Sequence, residues 1–323
     1  MAKPKVVITR KIPAEAEERA RSLFDVELNP SDTPLGAAGL ARAMREADGL
    51  LPCVADKVTA ELLAMPERKT KIVANYGVGY NNIDVEAAKE NGVVVTNTPD
   101  VLTEDTADLA ITLMLATARR IGEGEREVRS GRWTGWRPTH MLATQVHGKT
   151  LGLIGIGRIG RAVARRAHLG FGMRIIYHDP YPLSEAETAS LGAERKESIE
   201  AVLRESDFVS LHCPATPETK HLMNASRFAQ MRKGSILINT ARGDVVNEGD
   251  LIAALRAGTI SGAGLDVFEK EPAVPAELTG MENVVLLPHL GSATTETRVA
   301  MGMRAIDNLE AFFGGTAPRD RVA

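Results

Sequence analysis

Along the first hundred residues the hydrophobic pattern changes period repeatedly. Short apolar, largely β-branched runs at residues 6–9, 50–51, 72–74 and 93–96 alternate with stretches of helical period at 14–24, 35–47 and 85–90. A parallel strand pair needs a crossover, usually a helix, so this alternation predicts a parallel sheet covered on both faces. A longer helix opens at Thr103-Glu104-Asp105-Thr106 and carries Leu109, Leu113 and Ala116 towards Arg119-Arg120. Thr103 is read as its N-cap, and the two arginines suit the partly negative end of the helix.

A second alternating series begins near Lys149. Strand-like runs at 150–154, 174–178, 208–211, 235–239, 262–267 and 284–287 are separated by helical stretches. Repeated strand–helix units of this kind predict an α/β doubly wound, Rossmann-type domain. The final helix, about residues 293–313, comes after the series is complete and is expected to return to the first sheet. The smaller α/β domain is then discontinuous, residues 1–99 and 291–323, around a cofactor domain of residues 100–290, with hinges near Pro99 and Leu290.

Composition narrows the class. At 323 residues the chain is long for one core and natural for two. A formal net charge of -3 gives no basic excess for nucleic acid. Cys53 and Cys213 lie far apart without a CxxC spacing, so neither a disulfide framework nor a metal site is expected. The N-terminus runs almost directly into a strand, and the longest apolar stretch, residues 109–118, is too short to span a bilayer. A cytoplasmic protein with no membrane partner is the expectation.

The sharpest local signal is Gly155-Ile156-Gly157-Arg158-Ile159-Gly160, directly after the apolar run 151–154 and ahead of a helix. A lone GxGxxG recurs by chance; after a strand and before a helix it reads as a dinucleotide turn. Gly155 permits the tight turn, Gly157 lets a pyrophosphate approach the backbone, and Gly160 lets the helix pack closely, while free N–H groups at the helix start favour phosphate. About twenty residues on, Asp179 ends the next strand. A carboxylate there accepts bonds from a ribose diol and repels a 2′-phosphate, favouring NAD and leaving NADP open. Asp179-Pro180 is also an ordinary turn pair.

Three polar residues stand near the ends of later apolar runs: Arg242, Glu271 and His289. Each alone has an ordinary explanation, as a strand-end arginine, a solvated acidic run and a loop histidine. Together they supply what reduction of a carbonyl needs.

Gly77-Val78-Gly79, Asn239-Thr240-Ala241-Arg242-Gly243, Gly264-Leu265-Asp266-Val267-Phe268 and Pro288-His289-Leu290-Gly291-Ser292 together resemble the D-isomer-specific 2-hydroxyacid dehydrogenase family over nearly the whole chain. With Trp133-Thr134-Gly135-Trp136-Arg137-Pro138, the sequence looks most like its glyoxylate/hydroxypyruvate reductases and their bacterial 2-ketogluconate-reducing relatives. The resemblance implies a flavodoxin-like substrate domain beside the Rossmann-type one, and a homodimer. It also implies reduction of a small 2-oxo acid to the D-2-hydroxy acid. Arg242 would hold the substrate carboxylate and carbonyl, His289 would donate the proton, and Glu271 would orient the imidazole and favour its protonated form. Leu51, Val78 and Gly79 would line the substrate, Val78 and Gly79 through backbone N–H groups. Thr106, Arg158, Ile159, Cys213, Pro214, Thr219, Thr240, Ala241, Asp266 and Gly291 would join the glycines and Asp179 around the cofactor, with Asp266 orienting the nicotinamide carboxamide. Cys213 reads equally as a small buried hydrophobe.

Glu271 separates this chain from formate dehydrogenases of the superfamily, which carry glutamine there. One departure widens the substrate range. His140 stands where the hydroxypyruvate reductases carry a tryptophan that reaches a partner subunit's active site; it reads equally as a surface histidine near a dimer interface. Two alternatives share the scaffold. A phosphite or phosphonate dehydrogenase keeps the Arg–Glu–His set, and an NAD-sensing corepressor carries extra segments that do not appear after Phe313.

Overall fold

A computed structural model of the chain describes residues 2–323. The chain forms two compact units: one holds the chain through Leu102 together with Ser292–Ala323, the other holds Thr103–Gly291.

In the first unit five strands, β1 (Lys5–Ile8), β2 (Asp25–Glu27), β3 (Gly49–Leu51), β4 (Ile72–Ala74) and β5 (Val94–Thr96), form one parallel sheet in the order β2-β1-β3-β4-β5. This is the flavodoxin-type doubly wound order. Both faces are covered, so β3 and β4 are buried throughout and carry no alternation of polar residues. The last helix, Thr295–Phe313, packs on this sheet through Met301, Ala305, Ile306 and Leu309. Thr294 caps it by accepting a hydrogen bond from the Thr297 N–H.

The second unit has seven parallel strands: β6 (Thr150–Ile154), β7 (Arg174–His178), β8 (Ala193–Arg195), β9 (Phe208–Leu211), β10 (Ile236–Asn239), β11 (Gly262–Leu265) and β12 (Val284–Leu286). Their order, β12-β11-β10-β9-β6-β7-β8, reverses direction between β6 and β9. In open α/β sheets ligands bind beyond the carboxyl ends of the strands beside that reversal. The central strands β9, β10 and β11 are buried along their whole length. Each fully buried Val, Leu, Ile or Phe side chain contributes about 1.5–3 kcal/mol relative to exposure.

Pattern and structure differ at the edges. Strands β2 and β8 are three residues each, Asp-Val-Glu and Ala-Glu-Arg, and the hydrophobic pattern does not mark them. Short charged strands at a sheet edge owe their shape to the neighbour they pair with. Thr103 is the first helical residue of Thr103–Ala118 rather than a cap outside it. Arg120 does not extend that helix; it adopts a left-handed φ of 54° and pairs with Glu123 of the next helix, Ile121–Arg129, which the apolar pattern also does not mark. None of the described helices is long and apolar enough to cross a membrane.

Candidate active site

The turn after β6 is shaped by size. Gly155 has φ of 90°, and a Cβ there would stand 2.7 Å from the Cys213 N, at the end of β9. Any side chain would push the two switch-point strands apart. Gly160 abuts the same turn, 2.6 Å from its Cβ position to the Gly155 carbonyl oxygen. Above Gly157, the N-cap of Arg158–Phe171, a Cβ would meet nothing within 4 Å, so the space over the helix start is open. The N–H groups at the start of a helix and its positive end suit phosphate. Ile159 packs against the apolar core beneath, and Arg158 opens the helix.

Asp179 has a second duty that its sequence context does not reveal. Its Oδ2 accepts the Ile156 N–H at 2.7 Å and its Oδ1 the Tyr181 N–H at 2.8 Å. The carboxylate therefore ties the end of β7 to the glycine turn, and each oxygen retains a lone pair. Across the switch point, Thr219 closes its own turn, its Oγ1 donating to the Pro214 carbonyl at 2.6 Å and accepting from the Thr216 N–H. Burial pushes the half-buried Cys213 thiol up to about 11, so this cysteine is a protonated, unreactive group at neutral pH.

Beyond β10, β11 and β12 the polar residues converge within the same unit. Asn239 ends β10 and braces the following turn: its Oδ1 accepts the Ala241 N–H at 3.0 Å and its Nδ2 donates to the Arg242 carbonyl at 2.9 Å. Thr240 is 8% exposed, and its Oγ1 is buried without a protein partner. A buried hydroxyl of this kind is an unmet polar group that a ligand can satisfy. The Arg242 guanidinium donates to the Ala241 carbonyl at 2.7 Å. Burial lowers its pKa from the ordinary value, against the charges of Glu271 and Asp244.

Asp266, 1% exposed, organises the turn after β12. Its two oxygens accept the Leu290 N–H at 2.6 Å and the Gly291 N–H at 2.8 Å, and its own carbonyl accepts the His289 N–H at 2.9 Å. Burial raises the Asp266 carboxyl above its ordinary value, while the two N–H groups and the His289 charge oppose that. Thr106 adds a bond from its Oγ1 to the Gly291 carbonyl at 3.1 Å. The wrapped turn holds His289 at a left-handed φ of 58°, a conformation that a non-glycine residue adopts only when its surroundings impose it. The imidazole Nδ1 then lies 2.9 Å from Glu271 Oε2, while Glu271 Oε1 accepts the Phe268 N–H at 3.1 Å. Burial raises the Glu271 carboxyl, but the His289 bond and charge, the Phe268 N–H and Arg242 together hold it below its ordinary value. With Nδ1 turned to a carboxylate, Nε2 is the nitrogen left for proton transfer.

Two supports of this loop carry no motif. Glu248, 8% exposed in the first turn of Glu248–Arg256, accepts the Glu269 N–H at 2.9 Å. The Glu269 side chain bonds the His221 imidazole. Both sit two residues from Glu271 or reach that segment from elsewhere, and only the folded chain brings them together.

In the smaller unit, Leu51 ends β3 at 1% exposure, with its carbonyl taken by the Thr9 N–H. Val78 and Gly79 lie half-buried on the turn after β4. His140 bonds within its own chain, Nε2 lying 3.0 Å from Glu127 and Nδ1 2.9 Å from Arg137. Among the described residues no group of three or more His, Cys, Asp or Glu side chains could hold a metal ion.

Residues 111–291 match the family profile described as "D-isomer specific 2-hydroxyacid dehydrogenase, NAD binding domain". The chain is 49% identical over 326 residues to a glyoxylate reductase of Thermococcus litoralis, covering 99% of this chain and 97% of that protein. A glyoxylate reductase of Korarchaeum cryptofilum is 46% identical, covering 99% and 96%. Among solved structures, an NADPH-dependent glyoxylate/hydroxypyruvate reductase of Sinorhizobium meliloti, bound to NADP and malonate, superposes with a TM-score of 0.89 at 38% identity, covering 100% of this chain and 97% of that one.

Proposed function

This chain belongs to the D-isomer-specific 2-hydroxyacid dehydrogenase family, and from that premise we propose that it reduces glyoxylate and related small 2-oxo acids such as hydroxypyruvate or 2-ketogluconate. It is an oxidoreductase with a nicotinamide-binding domain. The observation that carries the reading is the Glu271–His289 bond beside the half-buried, charged Arg242.

When bound, a nicotinamide dinucleotide would supply a hydride to the substrate carbon. Gly155, Gly157, Arg158, Ile159 and Gly160 hold its pyrophosphate, Asp179 its ribose diol, and Thr106, Thr240, Ala241, Asp266 and Gly291 its nicotinamide half. Pro214, Thr219 and the neutral Cys213 line the adenosine side. Arg242 grips the substrate carboxylate and the oxygen of the reacting carbonyl, a planar task that suits a guanidinium fork. As the carbonyl π bond opens, His289 Nε2 gives its proton to that oxygen, and Glu271 balances the imidazolium before transfer. Val78 and Gly79 offer backbone N–H groups to the substrate carboxylate.

Absorbance at the nicotinamide band tests both the reaction and the cofactor. NADH oxidation is expected with glyoxylate, and more slowly with hydroxypyruvate and 2-ketogluconate. Tight NADH binding without turnover of any of these would sink the proposal, and NAD reduction by phosphite would replace it. Asp179→Ala is expected to narrow the NADH-over-NADPH ratio about ten-fold, from loss of one charge-assisted interaction. An unchanged ratio would place cofactor choice elsewhere.

A second copy of this chain is the proposed partner. Ile121, Val128, Trp133, Trp136 and Leu142 are exposed along the helix Ile121–Arg129 and the segment after it, with Trp136 82% exposed. Apolar surface gathered in this way favours burial against another chain. Sedimentation at micromolar concentration is expected to give twice the monomer mass, and Trp136→Glu to shift it towards monomer; a wild-type monomer would remove the proposal.

A further inference from the structure

In the turn after β4 two asparagine side chains bond three consecutive carbonyls. Asn75, fully buried at the end of β4, donates from Nδ2 to the Gly77 carbonyl at 3.3 Å and to the Gly79 carbonyl at 2.9 Å. Asn97, 8% exposed just past β5, donates from Nδ2 to the carbonyl between them, Val78, at 2.8 Å. The Thr98 N–H adds a second bond to the Gly77 carbonyl at 3.1 Å. Two amide side chains on neighbouring strands thus hold three successive peptide units.

The amide orientation of Asn75 follows from what lies behind it. Asn82 Nδ2 faces the carbonyls of Cys53 and Asp56, both at 3.1 Å, and can only donate there. The same nitrogen stands 3.1 Å from Asn75, so the Asn75 atom facing it is the oxygen. Asn75 therefore turns its NH2 towards the loop. Asp56, which accepts from Thr9 Oγ1 at 2.5 Å and from the Cys53 N–H at 2.9 Å, anchors this polar layer to β1.

A trans peptide is planar, with its C=O and N–H pointing in opposite directions. The Gly77 carbonyl shares its peptide with the Val78 N–H, and the Val78 carbonyl with the Gly79 N–H. Holding the two carbonyls therefore fixes the direction of both N–H groups, each pointing away from the asparagine that holds its peptide. Among the described residues, neither N–H has a protein acceptor. Successive N–H groups that point the same way form an anion-binding concavity.

We infer that Asn75 and Asn97 are positioning residues for the substrate carboxylate, holding the Val78 and Gly79 N–H groups as a two-donor cradle. The inference rests on the assignment of those two N–H groups in the function proposed above. The asparagines touch no substrate atom; they act through the peptides they hold. Their loss weakens ground-state binding of the carboxylate more than the chemical step, which belongs to Arg242 and His289.

The test is steady-state kinetics with glyoxylate. Asn97→Ala is expected to raise the glyoxylate KM about ten-fold, the effect of roughly one misplaced hydrogen bond to a charged group. The kcat should stay within about three-fold and the NADH KM should not move. Asn97→Asp keeps the side-chain shape and removes the donor, so a folded protein with the same KM rise separates positioning from packing. Replacing Gly79 by glycolic acid turns the Val78–Gly79 amide into an ester, which deletes that N–H and weakens the Val78 carbonyl as the acceptor of Asn97; this too should raise the glyoxylate KM. Asn97→Ala added to the ester enzyme should then raise it no further. If the ester raises KM while both Asn97 variants keep the wild-type value, the positioning role is overturned and the carboxylate assignment stands. If the ester leaves KM unchanged, the carboxylate assignment itself fails.

Discussion

His289→Ala is expected to lower the rate of glyoxylate reduction by about two to four orders of magnitude, the usual contribution of a positioned general acid. The expectation comes from the turn that holds the ring as much as from the ring itself. Asp266 binds the N–H groups of Leu290 and Gly291 and takes the His289 N–H on its carbonyl, so the imidazole is aimed before substrate arrives. Preorganised proton donors incur no reorganisation at the moment of transfer. NADH binding should be little changed in the variant, because the loss is confined to proton donation. Single-turnover rates within a few-fold of wild type would remove His289 from this role. Acid sets a limit on the pair. The Glu271 carboxyl lies below its ordinary value of 4.5, so its ionised form and its bond to His289 persist through neutral pH. As a group lowered in the folded state, it contributes stability above its unfolded pKa, and that contribution is lost as pH falls through the lowered value.

Arg242→Ala should cost about two to three orders of magnitude in kcat/KM, the scale on which removing one partner of a buried charge pair acts. Arg242→Lys should recover only a minor part, since an ammonium keeps the charge but not the planar fork. The alanine variant also leaves Glu271 and Asp244 without the opposite charge they feel in the native site. The glyoxylate KM and kcat are therefore both expected to suffer, while the NADH dissociation constant measured by fluorescence holds. A lysine variant as active as wild type would show that charge alone suffices and would sink the bidentate assignment.

Much of this site is legible in one dimension because its chemistry sits where strands end. The apolar runs leading to Gly155, Arg242 and His289 become β6, β10 and β12, and their carboxyl ends face the same way because parallel strands share a direction. Strand alternation predicts that sheet, and residue type singles out the candidates: glycines where a turn is tight, and Arg242 and His289 as polar residues at strand ends. The short edge strands β2 and β8 escape the same reading because pairing, not apolar content, makes them strands. The His221–Glu269 contact and the Glu248 bond to the Glu269 N–H escape it for another reason. Their partners are 48 and 21 residues apart, and no local pattern records a contact of that range.

Hydrophobic period by itself points to an α/β protein, the placed Gly155–Gly160 motif to a dinucleotide turn, and the resemblance of the other motifs to the family. Tertiary structure alone decides which polar groups are already in use. Asp179 reads in sequence as a ribose acceptor, yet it also ties β7 to the glycine turn through Ile156. Asp266 reads as a cofactor contact, yet it also sets the turn that aims His289. Asn75 and Asn97 draw no notice at all until the folded chain shows both holding one loop. The physical reason is common to all four. Apolar burial follows a short period along the chain, whereas a hydrogen bond is satisfied by whichever partner the fold brings within about 3 Å.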